Sequence, residues 1–260
     1  MISYPAHSQL LNKNFINGLL IGNPSFINSE IDYITNSSDF ENGKNNKPIK
    51  IIHAPSDILG KGTIYIRQMI EKIKIKGFDI DYIEVINKPH DFVIEKIKEC
   101  DFVIDQLYSD TPLPLLSVEA ALLKKPSVIC GYYRDYLTFD LPENYFNFPL
   151  FSSPEIFEKF VEELCRSKEL RIKLGNDMYN FLLNNWAKEI VAQKYIMIIN
   201  NSFPEQWIYK PDKIEYIWGY GINKNDLINF LKNYIDKYGE NGLFLRNKIK
   251  LIEKIKEIAK

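Results

Sequence analysis

Residues 53–63 read HAPSDILGKGT, with Lys61 held between Gly60 and Gly62 and followed by Thr63. Those residue types suit an anion. Two glycines let the backbone turn and approach a ligand closely, the lysine brings a positive charge, and the threonine can cap a following helix. Further along, Glu119 stands among Val118, Ala120 and Ala121. A carboxylate there near the start of a helix either interacts with the helix dipole, worth roughly 0.3–1 kcal/mol, or accepts hydrogen bonds from the two hydroxyls of a ribose. The glycine–lysine turn also has two readings, a helix start with a solvated lysine and a phosphate-binding turn.

These residues need elements that bring them to one crevice. From Ile49, just after Pro48, short apolar runs alternate with helix-like stretches. The runs are 49–54, 80–86, 101–107 and 126–132, with a weaker one at 145–151. Between them lie 63–77, 89–100 and 113–125, whose apolar residues recur at three and four. Ile66, Met69, Ile70 and Ile73 share one helical face, and Phe92, Val93, Ile97 and Cys100 another. This alternation predicts an α/β fold, a Rossmann-like parallel sheet with helices on both faces, over residues 49–200. Ligands of such a sheet bind beyond the carboxyl ends of the strands, where helix N-termini point free N–H groups outward. Lys61 follows the first strand, and Leu115 opens the helix after the third. Residues 1–48, polar and broken by Gly22, Pro24 and Gly43, read as a linker or remnant. Ser153-Pro154-Glu155 reads as a helix start, and residues 201–260 as a C-terminal helical extension.

Two nucleotide motifs are excluded. The ATP-binding P-loop wants glycine where Pro55 stands and serine or threonine where Gly62 stands, and the dinucleotide GxGxxG fails at Tyr65. The chain has 260 residues, 45% of them hydrophobic and 26% charged, with a formal net charge of −1. No global field draws in nucleic acid, and locally basic stretches allow at most peripheral membrane contact. Cys100, Cys130 and Cys165 form no CxxC pair, and no histidine stands near them at metal-ligand spacing, which suits a reduced cytoplasmic protein. His7, His53 and His90 are too scattered for a zinc site, and the DID at 79–81 begins a strand, so no metal is expected. The aromatic patch 207–221 reads as core or domain interface.

The ordered set of HAPSDILGKGT, PHDFVIEKIKECDFVIDQ and SVEAALLKKPSVI resembles the nucleotide-sugar-binding half of GT-B glycosyltransferases, especially the retaining, metal-independent group called family 4. The resemblance covers roughly residues 49–200. It implies that Lys61, with Gly60 and Gly62 and the N–H groups of Leu115 and Leu116, holds the donor diphosphate. It implies further that Glu119 holds the ribose, and that His90, at the start of the helix after the second strand, lies near the donor pocket. The donor would be a UDP- or GDP-sugar, used for polysaccharide or glycoconjugate synthesis, with no cofactor.

The chain departs from the family in three places. Where relatives carry a first glutamate eight residues before the ribose glutamate, this chain has Thr111, with Asp110 beside it as a substitute carboxylate. The glycines that follow there are replaced by the TPLPL stretch, in which Pro112 and Pro114 have no N–H and Leu113 still does. Ser56 stands where many relatives have a cationic arginine. The third departure is length: 48 residues leave no room for the N-terminal acceptor domain of a GT-B enzyme. Three explanations stay open, namely a fragment, an acceptor half on a second polypeptide, or a domain kept for another task. The alternative to a transferase is accordingly a non-catalytic partner or assembly subunit derived from one.

Overall fold

The structure, a computed structural model, describes residues 1–24, 47–142, 145, 151–216, 221–245 and 248–259. Its centre is a five-stranded, all-parallel sheet built from β3 (Ile49–His53), β4 (Ile80–Glu84), β5 (Phe102–Gln106), β6 (Ser127–Cys130) and β7 (Phe151–Ser152). Both faces are covered, and for that reason the strands read as continuous apolar runs. Successive residues go to opposite cores: Ile51, Phe102 and Ile104 enter the larger one, Ile52 and Val103 the smaller. The Rossmann-like α/β expectation holds. Of the weak strand anticipated at 145–151, Phe151 falls in β7, and residues 146–150 lie outside the described set.

The helices alternate with the strands as their periodicity requires. α2 (Thr63–Ile75) buries Ile66, Ile70 and Ile73, α3 (His90–Glu99) buries Ile97, and α4 (Leu115–Leu122) buries Val118, Ala120 and Ala121. α6 (Phe157–Arg166) and α7 (Lys168–Phe181) follow the last strand. Ser153 precedes a short 3-10 turn leading into α6 and makes no side-chain cap, whereas Ser167 caps α7 by accepting from the Leu170 N–H at 3.0 Å. α8 (Lys188–Ile199) completes this part. α9 (Lys224–Tyr238) and α10 (Ile249–Ala259) pair around a small core of their own, with Leu227, Leu231, Leu245, Leu251 and Ile255.

The strand order is β4-β3-β5-β6-β7. The chain leaves β3 toward one edge, forms β4, then crosses back over β3 to place β5 on its other side. The order reverses between β3 and β5, and beyond their carboxyl ends the loops diverge and leave a crevice.

The first 24 residues are not a linker. β1 (Ile2–Ser3) and β2 (Phe15–Asn17) pair in parallel, and β8 (Ile208–Tyr209) adds antiparallel to β2. α1 (Gly18–Ile21) follows β2 directly, capped by the Asn17 side chain, which accepts from the Leu19 N–H at 3.1 Å. Phe15, Leu19 and Ile21 are fully buried in the main core. The residues that do resemble a linker, 25–46, lie outside the described set. The lysine of α8 closest to this segment, Lys194, donates to the carbonyls of Leu20, Ile21 and Asn185 at 2.7, 3.2 and 3.0 Å, satisfying the orphan C-terminal carbonyls of α1. Burial lowers its ammonium to about 8.

A single carboxylate ties this small sheet to the large one. Asp140, in the short α5 (Leu137–Asp140), is 5% exposed and accepts from the hydroxyl of Tyr133 at 2.8 Å and from those of Tyr209 and Tyr216. Its backbone carbonyl accepts from Asn17 Nδ2 at 2.8 Å. Burial pushes the Asp140 pKa up, and the three hydroxyl bonds oppose that shift. The aromatic patch 207–221 is thus core, as far as its described residues go. Asp140→Ala leaves three buried hydroxyls without an acceptor and is expected to cost about 3 kcal/mol or more in urea unfolding, at about 1–3 kcal/mol per unsatisfied group. Asp140→Asn, which keeps one acceptor oxygen, is expected to cost clearly less; equal losses would count against the hydroxyl cage.

Candidate functional site

The turn after β3 is fixed by its own amides. Lys61 N–H donates to Asp57 O, Gly62 N–H to Leu59 O and Thr63 N–H to Ile58 O, each at 3.0 Å. Gly62 adopts a left-handed φ of 72°, and a Cβ there would sit 2.9 Å from that of Leu107, so the position needs glycine on two counts. The turn is covered as well: Gly221 donates its N–H to Tyr108 O at 3.1 Å, and a Cβ on it would lie 2.7 Å from the Cα of Gly60. The amides of Lys61 and Gly62 are therefore spent within the turn. Thr63 does not cap α2. Its hydroxyl instead meets Nε2 of His53 at 2.9 Å, while Nδ1 of that ring meets the Ile104 carbonyl at 2.8 Å. A carbonyl can only accept, so Nδ1 carries the hydrogen and Nε2 accepts from Thr63. Burial lowers the His53 pKa and keeps the ring neutral.

Lys61 is only 8% exposed, and its Nζ lies 2.5 Å from Oδ1 of Asp105, which is fully buried near the end of β5. The other carboxylate oxygen, Oδ2, accepts from the N–H of Ser117 at 3.1 Å and from its hydroxyl at 2.6 Å. One carboxylate thus joins the turn after β3 to the first turn of α4, directly across the point where the strand order reverses. Asp105 was not singled out in the sequence. It sits with Gln106 at the polar end of an otherwise apolar β5, FVIDQ, and that was its only signal.

Around Lys61 lies a cleft of about 490 Å³. From the residues anticipated for the donor it takes Ser56, Lys61, Asp110, Thr111, Leu113 and Leu115. Tyr4, His7 and Asn23 of the N-terminal segment also line it. The loop between β5 and α4 is pinned by Ser109, whose Oγ donates to the Thr111 carbonyl at 2.7 Å and accepts from the Thr111 N–H at 3.2 Å. The Thr111 amide is thereby used. Among the described residues no acceptor is paired with the N–H groups of Leu113, Leu115 and Leu116. Leu115 and Leu116 are the first two residues of α4, where such groups carry partial positive charge.

Gly60, Gly62, Leu116, Glu119 and His90 do not line this cleft. Gly60 and Gly62 are buried in the turn, and the Leu116 side chain packs against the smaller core. Glu119 and His90 instead meet each other: Oε1 of Glu119 lies 2.8 Å from Nε2 of His90, linking α4 to the start of α3. Glu119 is two residues beyond Ser117, so α4 carries both the anchor of the Lys61–Asp105 pair and this second pair.

His7, from a segment expected to hold no site, has its Nε2 2.6 Å from Oδ2 of Asp110. The hydrogen bond that His7 donates to Asp110 raises the His7 pKa more than burial lowers it. Three buried cysteines stand apart from the cleft, each pushed up to about 12 by burial, and are unsuited to act as thiolates. Among the described residues no group of three His, Cys, Asp or Glu side chains is arranged to hold a metal ion, and no helix is long and apolar enough to cross a membrane.

The architecture is that of a Rossmann-like α/β protein with a cleft of mixed polar and apolar lining at its switch point. No family model and no curated protein matches the chain.

Two expectations follow from the geometry. Asp105→Asn leaves Lys61 buried without a countercharge and should cost about 3–5 kcal/mol, the loss usual for breaking a buried pair. The double replacement Lys61→Met with Asp105→Leu should cost less than the sum of the single changes in urea unfolding, and additivity would refute the pairing. The second concerns His7. Its raised pKa means that its contact with Asp110 contributes fully below the unfolded value of about 6.5 and is lost as pH rises through the folded value. Proton NMR titration of the imidazole should show a pKa above that value in the wild type, returning toward it in Asp110→Asn.

Proposed function

We propose that the chain binds the nucleoside diphosphate part of a nucleotide sugar in the Lys61 cleft and belongs to a glycosyltransferase of the GT-B type. The observation that carries the reading is the position of Lys61. It is a nearly buried ammonium at the switch point of a parallel sheet, beside the open N-terminus of α4 and inside a cleft of about 490 Å³. Ligands of such sheets gather there. Lys61 would neutralise charge on the leaving diphosphate through N–H bonds not given to Asp105, aided by the amides of Leu115 and Leu116. The nucleoside would extend out of the cleft along α4 to Glu119, which would take the ribose hydroxyls by giving up His90 or sharing it.

A reading as a non-catalytic subunit draws on the two prolines of TPLPL, which remove donors from the loop. Calorimetry with UDP and GDP separates binding from its absence. We expect saturable binding of one of them, weakened about 10- to 100-fold by Lys61→Ala and by Glu119→Ala, since a charge-assisted hydrogen bond contributes about 1.5–3 kcal/mol. No binding of either nucleotide would remove the donor reading, as would two variants that bind like the wild type.

A further inference from the structure

A second cavity, of about 510 Å³, shares no lining residue with the Lys61 cleft. It lies where α1, α5, β8 and α8 meet, and its volume falls within the range of about 300–1,000 Å³ usual for small-molecule sites. Lys194, Lys210 and Lys213 all line it. Among the described residues its one lining carboxylate is Asp140, which already accepts from three tyrosine hydroxyls. The cavity is therefore rich in cations and has no carboxylate free to meet them.

Lys210 and Lys213 flank a 3-10 turn, Pro211–Lys213, closed by the Lys213 N–H donating to the Lys210 carbonyl at 3.0 Å. Side chains three apart in such a turn eclipse, so both ammoniums stand on one side of it. Neither ammonium, nor Nε1 of Trp207, has a partner among the described residues.

Lys194 is placed differently. Its three hydrogens go to the carbonyls of Leu20 and Ile21 from α1 and of Asn185 from the turn before α8, so its charge has no countercharge. The Tyr145 hydroxyl shares the Leu20 carbonyl at 3.4 Å. The other titratable groups around the cavity are Asp140 of α5, Tyr209 of β8, and Lys210 and Lys213, while one turn away on its own helix stand Ile190 and Ile198. Burial alone lowers its ammonium to about 8. The remaining lining gives apolar faces: Phe139 and Ile208 are exposed, and Trp207 is held by stacking on Phe203 at 6.2 Å.

We propose that this cavity binds a small organic anion, a carboxylate or phosphate carried on a ring-sized body. Lys210, Lys213 and the Trp207 indole N–H donate to the anionic group, and the ring lies against Phe139, Trp207 and Ile208. Lys194 supplies charge rather than a hydrogen bond, because its hydrogens are committed to carbonyls. The anion provides the countercharge that Lys194 lacks, so binding favours its protonated form. This site stands apart from the donor reading of the Lys61 cleft.

The test titrates the full chain, labelled with 5-fluorotryptophan, with benzoate, phenyl phosphate and the neutral benzamide. It follows the fluorine signal of Trp207, assigned through Trp207→Phe. Saturable shifts with benzoate or phenyl phosphate and none with benzamide are expected, and the tighter anion identifies the headgroup. Replacing Lys210→Gln and Lys213→Gln together should weaken that binding about tenfold or more. Benzoate stays ionised above pH 7, so its affinity should fall about fivefold between pH 7 and pH 9 as Lys194 loses its proton. Lys194→Arg, which keeps the charge, should bind benzoate with no such fall. Shifts with the anions that never saturate, equal binding of benzamide, or full affinity in the double variant would mean an adventitious additive only and overturn the site. A fall with pH that persists in Lys194→Arg would overturn the role of Lys194. Loss of benzoate binding in Lys61→Ala would place the anion in the other cleft and overturn the site as well.

Discussion

The ion pair between Lys61 and Asp105 is the constraint on which the cleft depends. Taking an ammonium and a carboxylate out of water costs several kcal/mol for each ion, and their attraction offsets this only where the remaining donors and acceptors are also satisfied. Asp105 meets that condition by taking two further hydrogen bonds from Ser117. The same carboxylate thereby fixes three things at once: the turn after β3, the end of β5, and the direction in which α4 starts. Because Ser117 is held from below, Leu115 and Leu116 stand at the crevice with N–H groups that no acceptor among the described residues takes, and the loop before them is held by Ser109. A buried pair of this kind is weak evidence for stability. Its position across the switch point makes it a device for geometry.

The second wall of the cleft comes from a part of the chain remote in sequence. Tyr4, His7 and Asn23 reach the crevice because β1 and β2 are locked to β8, and β8 is locked in turn to Asp140 through Tyr209. Each link carries little sequence-local stability, since strands of two or three residues cannot stand alone. Their order is imposed by burial of Phe15, Leu19 and Ile21 and by the hydroxyl cage on Asp140. Residues 1–24 and 208–216 therefore belong to one structural unit that braces the large sheet, and the crevice is roofed by the chain's own N-terminal segment.

The alternation of apolar runs made the large sheet legible, because a parallel strand covered on both faces is apolar where both sides are buried, as in FVI at 102–104 and VIC at 128–130. Around Lys61 only the turn was legible: two glycines beside a lysine after a strand suited a helix start with a solvated lysine or a phosphate site, and neither reading gave the buried pairing with Asp105. Other parts carried no local signal. The strands at residues 2–3 and 15–17 are shorter than any periodicity can reveal; they pair with each other, and the second pairs with a segment about 200 residues away in the chain. Asp105 looked like a strand residue because its role depends on Lys61 and Ser117, which pattern reading treats separately. His7 and Asp110 are 103 positions apart, and no spacing rule connects them. Thr63 was read as a cap from its type, but His53 one turn away in space claims its hydroxyl.

The charge arrangement also bears on which anions the cleft can hold. A free lysine attracts any anion over roughly a Debye length, about 8 Å at physiological salt. Lys61 with Asp105 buried behind it behaves as a dipole, whose field falls faster with distance than that of a single charge. Long-range attraction is weak, in keeping with a net charge of −1 for the whole chain. At contact the balance changes, because an anion touching the ammonium is nearer the lysine than the aspartate, and the partial charges at the start of α4 act over the same short range. On the proposed donor reading, such a site would discriminate by fit: it would favour an anion whose oxygens reach Lys61 and the amides of Leu115 and Leu116 together, and would give little hold to a phosphate that reaches one of them alone. Pro112 and Pro114 sharpen this, since each removes an N–H that would otherwise have made the loop a more general anion trap.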